Sequence, residues 1–146
     1  MNGVQRTVFR TANRATPWLY RVSKGRMGNR SRGGSPVLLL TVKGRKSGNS
    51  FTVPVAYFPR HGGWVVVGSA GGDKDDPQWF RNLRAADSAL IELGHGPREV
   101  AVRILDGRER EDAFRDVVAA NPGFAKYEER AGRPMPLALL TPHGPP

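Results

Sequence analysis

The eight residues Thr41-Val-Lys-Gly-Arg-Lys-Ser-Gly48 gather a strand end, two glycines, three cations and a hydroxyl. Residues of these types suit an anion. Glycine lets the backbone come close, exposed N–H groups and Ser47 donate to phosphate oxygens, and Arg45 can pair bidentately with Lys46 beside it. The segment is not a P-loop, because neither the four residues before a Gly-Lys-[Ser/Thr] triplet nor the helix after it is present. An ordinary basic hairpin turn has the same composition, so the motif needs support from elsewhere in the chain.

A second segment, Val67-Gly-Ser-Ala-Gly-Gly72, leads into Asp76-Pro-Gln-Trp-Phe-Arg-Asn-Leu83. A strand running into paired glycines and a helix start presents free backbone N–H groups and tolerates close approach of a flat ring or an anion. Trp79 could wall such a ring or serve as plain core. The glycine spacing does not fit the dinucleotide fingerprint. His61, His95 and His143 each stand beside glycine in expected turns, without ligand spacing, so no metal site is expected. Ser35, Ser47 and Ser69 lack the partners of a nucleophile motif.

Charge is distributed unevenly. Residues 1–72 hold 12 Lys and Arg and no acid, whereas residues 73–146 hold 11 Lys and Arg against 13 acids. A half-chain without carboxylates points to an anionic partner: nucleic acid, an anionic membrane surface or a polyanionic small molecule. Docking of the basic half on the acidic half is the bland alternative. No helix-turn-helix, RRM or zinc pattern accompanies the cations, so no specific nucleic-acid partner is expected. There is no cysteine, which excludes disulfides and thiolate metal sites. The apolar stretch Pro36 to Val42 is far shorter than the roughly 20 residues of a membrane-spanning helix. Without a recognisable secretion leader, the cytoplasm is the expected location.

The elements that must position these motifs follow from periodicity. Val4, Val8 and Ala12 fall at helical spacing, Thr16-Pro17 opens a second short helix, and Gly25 to Gly34 is a basic linker. Residues 1–35 are therefore expected to form a basic helical appendage and linker, ahead of one domain over 36–146. Strands are expected at Val37–Val42, Thr52–Phe58, Trp64–Gly68, Ala89–Leu93, Glu99–Leu105 and Leu137–Thr141. Asp76 is expected to cap a helix whose first turn holds Pro77 and which runs to about Ala86. Further helices are expected from about 107 to Ala120 and through Phe124 and Tyr127. Short, mostly antiparallel strands with helices inserted between them predict a mainly β fold with α, an α+β barrel rather than a parallel sheet.

The strings P-V-L-L-L-T-V-K-G-R-K-S-G, V-P-V-A-Y-F and V-V-V-G-S-A-G-G-D-K-D-D-P-Q-W-F-R-N-L resemble, in order and spacing, the deazaflavin-dependent nitroreductase family of F420H2-dependent oxidoreductases. The likeness runs from Trp18 to Pro142. It implies a split β-barrel of FMN-binding type and coenzyme F420 as the cofactor. It also implies that Arg45, Lys46, Ser47 and Asn49 hold the phosphate and the start of the oligoglutamate tail. Leu40, Thr41, Pro54 and Tyr57 would flank the cofactor groove. Val67, Gly68, Ser69 and Ala70, with Gly71 following, would approach the deazaflavin ring, and Gln78, Trp79 and Asn82 would close the pocket. Asn121, Phe124 and Tyr127 would line the acceptor side. The chain departs from the family pattern at Phe51, where an Arg is common, and at Ala70, where a Lys is common.

The implied reaction is hydride transfer from reduced F420 to a small organic acceptor such as a quinone, a nitroaromatic or an activated enone. Tyr127 is the candidate catalytic proton donor, with solvent as its alternative. One rival reading is a split barrel that binds FMN, haem or another ligand. The other is a non-enzymatic nucleic-acid or membrane-surface binder. Arg6, Arg10 and Arg14 beside Val4, Val8 and Phe9 suit a helix lying on an anionic membrane or packed across the barrel mouth, so peripheral membrane contact is one expectation. The oligomeric expectation is a monomer or a homodimer.

Overall fold

The computed structural model describes residues 35–69, 74–94 and 96–143. The expected helices and linker of the N-terminal appendage, and with them the 1–35 and 36–146 division, lie outside the described residues except at Ser35. So do Ala70, Gly71, Gly72 and His95. The elements run β1 (Val37–Lys43), β2 (Ser50–Arg60), β3 (Gly63–Val67), α1 (Gln78–Arg84), β4 (Ser88–Glu92), β5 (Pro97–Ile104), α2 (Gly107–Ala120), α3 (Gly123–Ala131) and β6 (Leu137–Pro142).

The strands close into a barrel in the order β1-β2-β3-β6-β5-β4, with every neighbouring pair antiparallel. Alternation along each strand decides what faces inward. Leu38, Leu40 and Val42 meet Val55, Val66, Ile91, Val100, Ala138 and Leu140 inside the barrel. Residues of opposite parity, among them Phe58, Val65, Val67, Leu137 and Leu139, form an outer cluster with Ala113, Val117 and Phe124 of α2 and α3. The His61-Gly62 turn joins β2 to β3 with positive φ at both residues, 51° and 75°, as a tight hairpin turn requires.

Helix α1 plugs one end of this barrel. Phe80 and Leu83, spaced to share one helix face, are fully buried in the inner cluster, and each such burial stabilises by about 1.5–3 kcal/mol. Strands β1 and β3 both terminate at this end, because each is antiparallel to β2. The loop 44–49 and Gly68 lie here. The corner between α2 and α3 lies at the other end, where the Asn121 Nδ2 donates to Ser35 Oγ at 2.9 Å just before β1.

The cap of α1 differs from expectation. Pro77 is the N-cap, with φ −66° and ψ 155°, no side chain caps the helix, and the helix ends at Arg84. The Asp76 carboxylate is drawn away by charge: it pairs with Arg84 Nη2 at 3.1 Å and Arg133 Nη1 at 2.6 Å. It thereby ties the start of α1 to the segment after α3. Strand β2 is also longer than its apolar run at both ends, and β5 begins at Pro97, because ladder pairing with β1, β3 and β4 extends past the hydrophobic residues.

Candidate functional site

The loop between β1 and β2 closes on itself before it meets anything else. Gly44 N–H donates to Asn49 O at 2.7 Å and Gly48 N–H to Gly44 O at 2.9 Å, while Asn49 N–H donates to Ser47 Oγ at 3.1 Å. This ring of bonds places Arg45, Lys46, Ser47 and Asn49 together on an exposed turn.

Arg45 then reaches across to α1. Its backbone N–H donates to Asn82 Oδ1 at 3.1 Å, its Nη1 to the same oxygen at 2.7 Å, and its Nη2 to Gln78 Oε1 at 3.0 Å. Gln78 and Asn82 are four apart and so share one face of α1. Asn82 is 8% exposed and Gln78 is exposed. Both acceptors are neutral amides, so the fork is fixed while its positive charge meets no carboxylate among the described residues. Lys43 and Lys46, exposed on either side, add charge of the same sign. The loop therefore carries a local excess of positive charge.

The other residues implied by the family resemblance fall into three groups. Thr41 and Pro54 sit half-buried on the outer face of β1 and β2, where Thr41 Oγ1 and Thr52 Oγ1 are hydrogen-bonded at 2.8 Å. Leu40 points the opposite way, into the barrel, and Tyr57 packs against that inner cluster. Val67 turns outward under α2 and α3, while Gly68 and Ser69 continue at the plugged end, with Gly68 N–H donating to Pro136 O at 2.9 Å. Trp79 is half-buried against the inner cluster, its ring edge-on to Phe80 at 5.5 Å.

Asn121 and Phe124 of the acceptor-side set are not brought beside Arg45. Asn121 is 8% exposed and its amide is used at both ends, by Ser35 and by Gly123 N–H at 3.2 Å. Phe124 is buried between Phe58 and Tyr127, edge-on to each at 5.6 and 5.3 Å. Asn121 and Phe124 belong to the outer layer near the start of β1. That is about one strand length, roughly 20 Å, from the loop at its end.

Two features of the site escape local pattern. The link from Arg45 to Gln78 and Asn82 spans 33 and 37 residues of sequence, and no periodicity announces it. Asp76, expected as a cap, instead anchors α1 to Arg133. Among the described residues no group of three or more His, Asp or Glu side chains could hold a metal ion, and no helix is long and apolar enough to cross a membrane.

The closed antiparallel barrel with helices inserted between its strands is of the split β-barrel type that the resemblance implies. The sequence profile of the F420H2-dependent quinone reductases matches residues 12–142, and the chain belongs to that family. It is an oxidoreductase that depends on reduced F420. The F420H2-dependent quinone reductase Rv1261c of Mycobacterium tuberculosis is 30% identical over 128 residues, 84% of this chain and 85% of that protein. Among solved structures, the F420-H2 dependent reductase FDR-A superposes with a TM-score of 0.65 at 31% identity, covering 72% of this chain and 93% of its own. A chain described as a domain-swapped dimer gives a TM-score of 0.67 at 26% identity, covering 94% and 96%.

Proposed function

We propose that this enzyme takes hydride from F420H2 and delivers it to a quinone at the barrel end plugged by α1. The observation that carries the reading is Arg45, held rigidly between two neutral amides with Lys43 and Lys46 nearby. Such a fork, charged and fixed but not neutralised, fits the phosphate and carboxylates of an anionic cofactor. Lys46, Ser47 and Asn49 extend the same grip toward the tail. Gly68 and Ser69, with the Ala70-Gly71 segment that follows them, would let backbone groups approach the flat ring, and Trp79 would wall it.

The bound cofactor supplies the hydride. The chain's own residues bind, orient and keep the ring against an acceptor. Quinone is the acceptor class that the family name and Rv1261c support. A soluble quinone needs no dedicated proton donor, because solvent can protonate it. We place the enzyme in the cytoplasm. Peripheral membrane contact rests on Arg6, Arg10 and Arg14 alone.

The test is a fluorescence titration of the protein with F420, followed by oxidation of F420H2 with menadione, a nitroaromatic or an enone as acceptor. Tight binding with menadione as the fastest acceptor supports the reading. Absence of F420 binding, or displacement of F420 by FMN or haem at lower concentration, would overturn it.

A further inference from the structure

We infer that Asn82 and Gln78 are positioning residues whose neutrality, rather than their contact with ligand, sets the anion affinity of the site. The inference rests on the proposed function, since it concerns the cofactor's anionic groups. It starts from an oddity of residue choice. An arginine that must be held still is most strongly held by a carboxylate, which is why Arg84 and Arg133 on the same side of the molecule are tied to Asp76, and Arg110 to Glu111 and Glu128. Arg45, by contrast, is held by the amides of Asn82 and Gln78.

The geometry explains what the amides achieve. Asn82 Oδ1 takes both the backbone N–H and Nη1 of Arg45, so one oxygen fixes the loop and the side chain together. Gln78 Oε1 takes Nη2 and removes the remaining rotation of the guanidinium plane. A carboxylate at either place would hold the fork as well or better. It would also cancel the charge that an incoming phosphate must meet, most strongly at Asn82, which is 8% exposed, and less at exposed Gln78, where water screens the pair. Rigidity and uncompensated charge are compatible only with neutral acceptors.

The decisive variants are Asn82→Asp and Gln78→Glu, which keep size and acceptor geometry and change only charge. Each is titrated with F420 by fluorescence at low and high salt, with thermal unfolding measured in parallel. Asn82→Asp is expected to weaken F420 binding tenfold or more, to flatten its salt dependence, and to leave the unfolding temperature unchanged or raised. Gln78→Glu, at an exposed position that tolerates charge during folding, is expected to weaken binding severalfold. In steady state the effect falls on the KM for F420H2 rather than on kcat. Wild-type binding of F420 combined with unchanged affinity in both variants would overturn the inference and leave the proposed function standing. Failure of the wild-type protein itself to bind F420 would remove both.

Discussion

Asn82 Oδ1 receives two hydrogen bonds from a single residue, the backbone N–H of Arg45 at 3.1 Å and its Nη1 at 2.7 Å, so that one amide on α1 sets both the path of the β1–β2 loop and the direction of its guanidinium. Lysine at this position would keep the charge but could not reach Asn82 and Gln78 at once, because it offers a point charge in place of a planar fork. Arg45→Lys is therefore expected to weaken F420 binding by tenfold to a hundredfold, about 1.5–3 kcal/mol. Fluorescence titration reads the loss, and an affinity within a factor of two of the wild type would contradict it.

Gly68 is required by contact rather than by conformation. A Cβ there would lie 2.8 Å from the Phe80 ring and 3.0 Å from Pro136 Cγ, and both neighbours are held in a packed environment. Gly68→Ala should cost about 1–3 kcal/mol through overpacking and, by shifting α1, should weaken F420 binding too. Urea denaturation and cofactor titration of the same sample check the pair of effects. A variant with normal stability would show that α1 yields more easily than its fully buried Phe80 implies.

Arg110 locks the outer layer. It is 7% exposed, donates through Nε and Nη2 to Met135 O at 3.2 and 2.8 Å, pairs with Glu128 at 2.7 Å, and lies 4.5 Å over the Phe114 ring. Arg110→Ala leaves the Met135 carbonyl and Glu128 without these donors and should destabilise by about 2–4 kcal/mol. The affinity for F420 should hold while the fold is intact, since Arg110 bonds to Met135, Glu111 and Glu128 and to none of Arg45, Gln78 and Asn82. Denaturant midpoints and titration below the unfolding range separate the two.

A pH dependence follows from Glu109. Its hydrogen bond from Arg103 holds its carboxyl below the ordinary carboxylate range, slight burial opposing and the Arg103 charge assisting, while the same bond raises Arg103. A lowered folded-state value means that the contribution is complete above the normal carboxylate range and is lost as pH falls through the lowered value. Glu109→Gln should therefore melt slightly below the wild type at neutral pH and together with it in strong acid. A gap that persists in acid would assign the effect to packing instead.

Tyr127 provides a test of where the acceptor lies. Its ring packs edge-on to Phe124 in the outer layer, and no hydrogen bond among the described residues ties it to Arg45, Gln78 or Asn82. Tyr127→Phe should leave quinone-dependent turnover within about twofold of the wild type, because loss of a positioned general acid typically costs 10²-fold or more. A loss of that size in kcat, with stability retained, would support Tyr127 as the proton donor.

Alternation and punctuation in the chain were enough to locate the six strands, the hairpin turn at His61-Gly62 and the three described helices, though not the ends of β2, β5 and α1. Each of these is a local matter of residue period, proline position and backbone freedom. Composition and the run from Thr41 to Gly48 were likewise enough to raise an anion loop as a candidate, since charge and glycine content need no fold to be read. Which partner each charged or polar side chain takes was decided only in three dimensions. Asp76 reads locally as a cap, yet it is claimed by Arg84 and by Arg133, the latter 57 residues away. Arg45 was legible as a candidate and Gln78 and Asn82 were implied by the resemblance, but their mutual bonds depend on α1 plugging the barrel end where β1 stops. Asn121 and Phe124 carry the same residue types in sequence whichever end of the barrel they occupy. Barrel closure and the descent of α2 put them at the opposite end from Arg45, because only the paired strands fix which chain ends are neighbours.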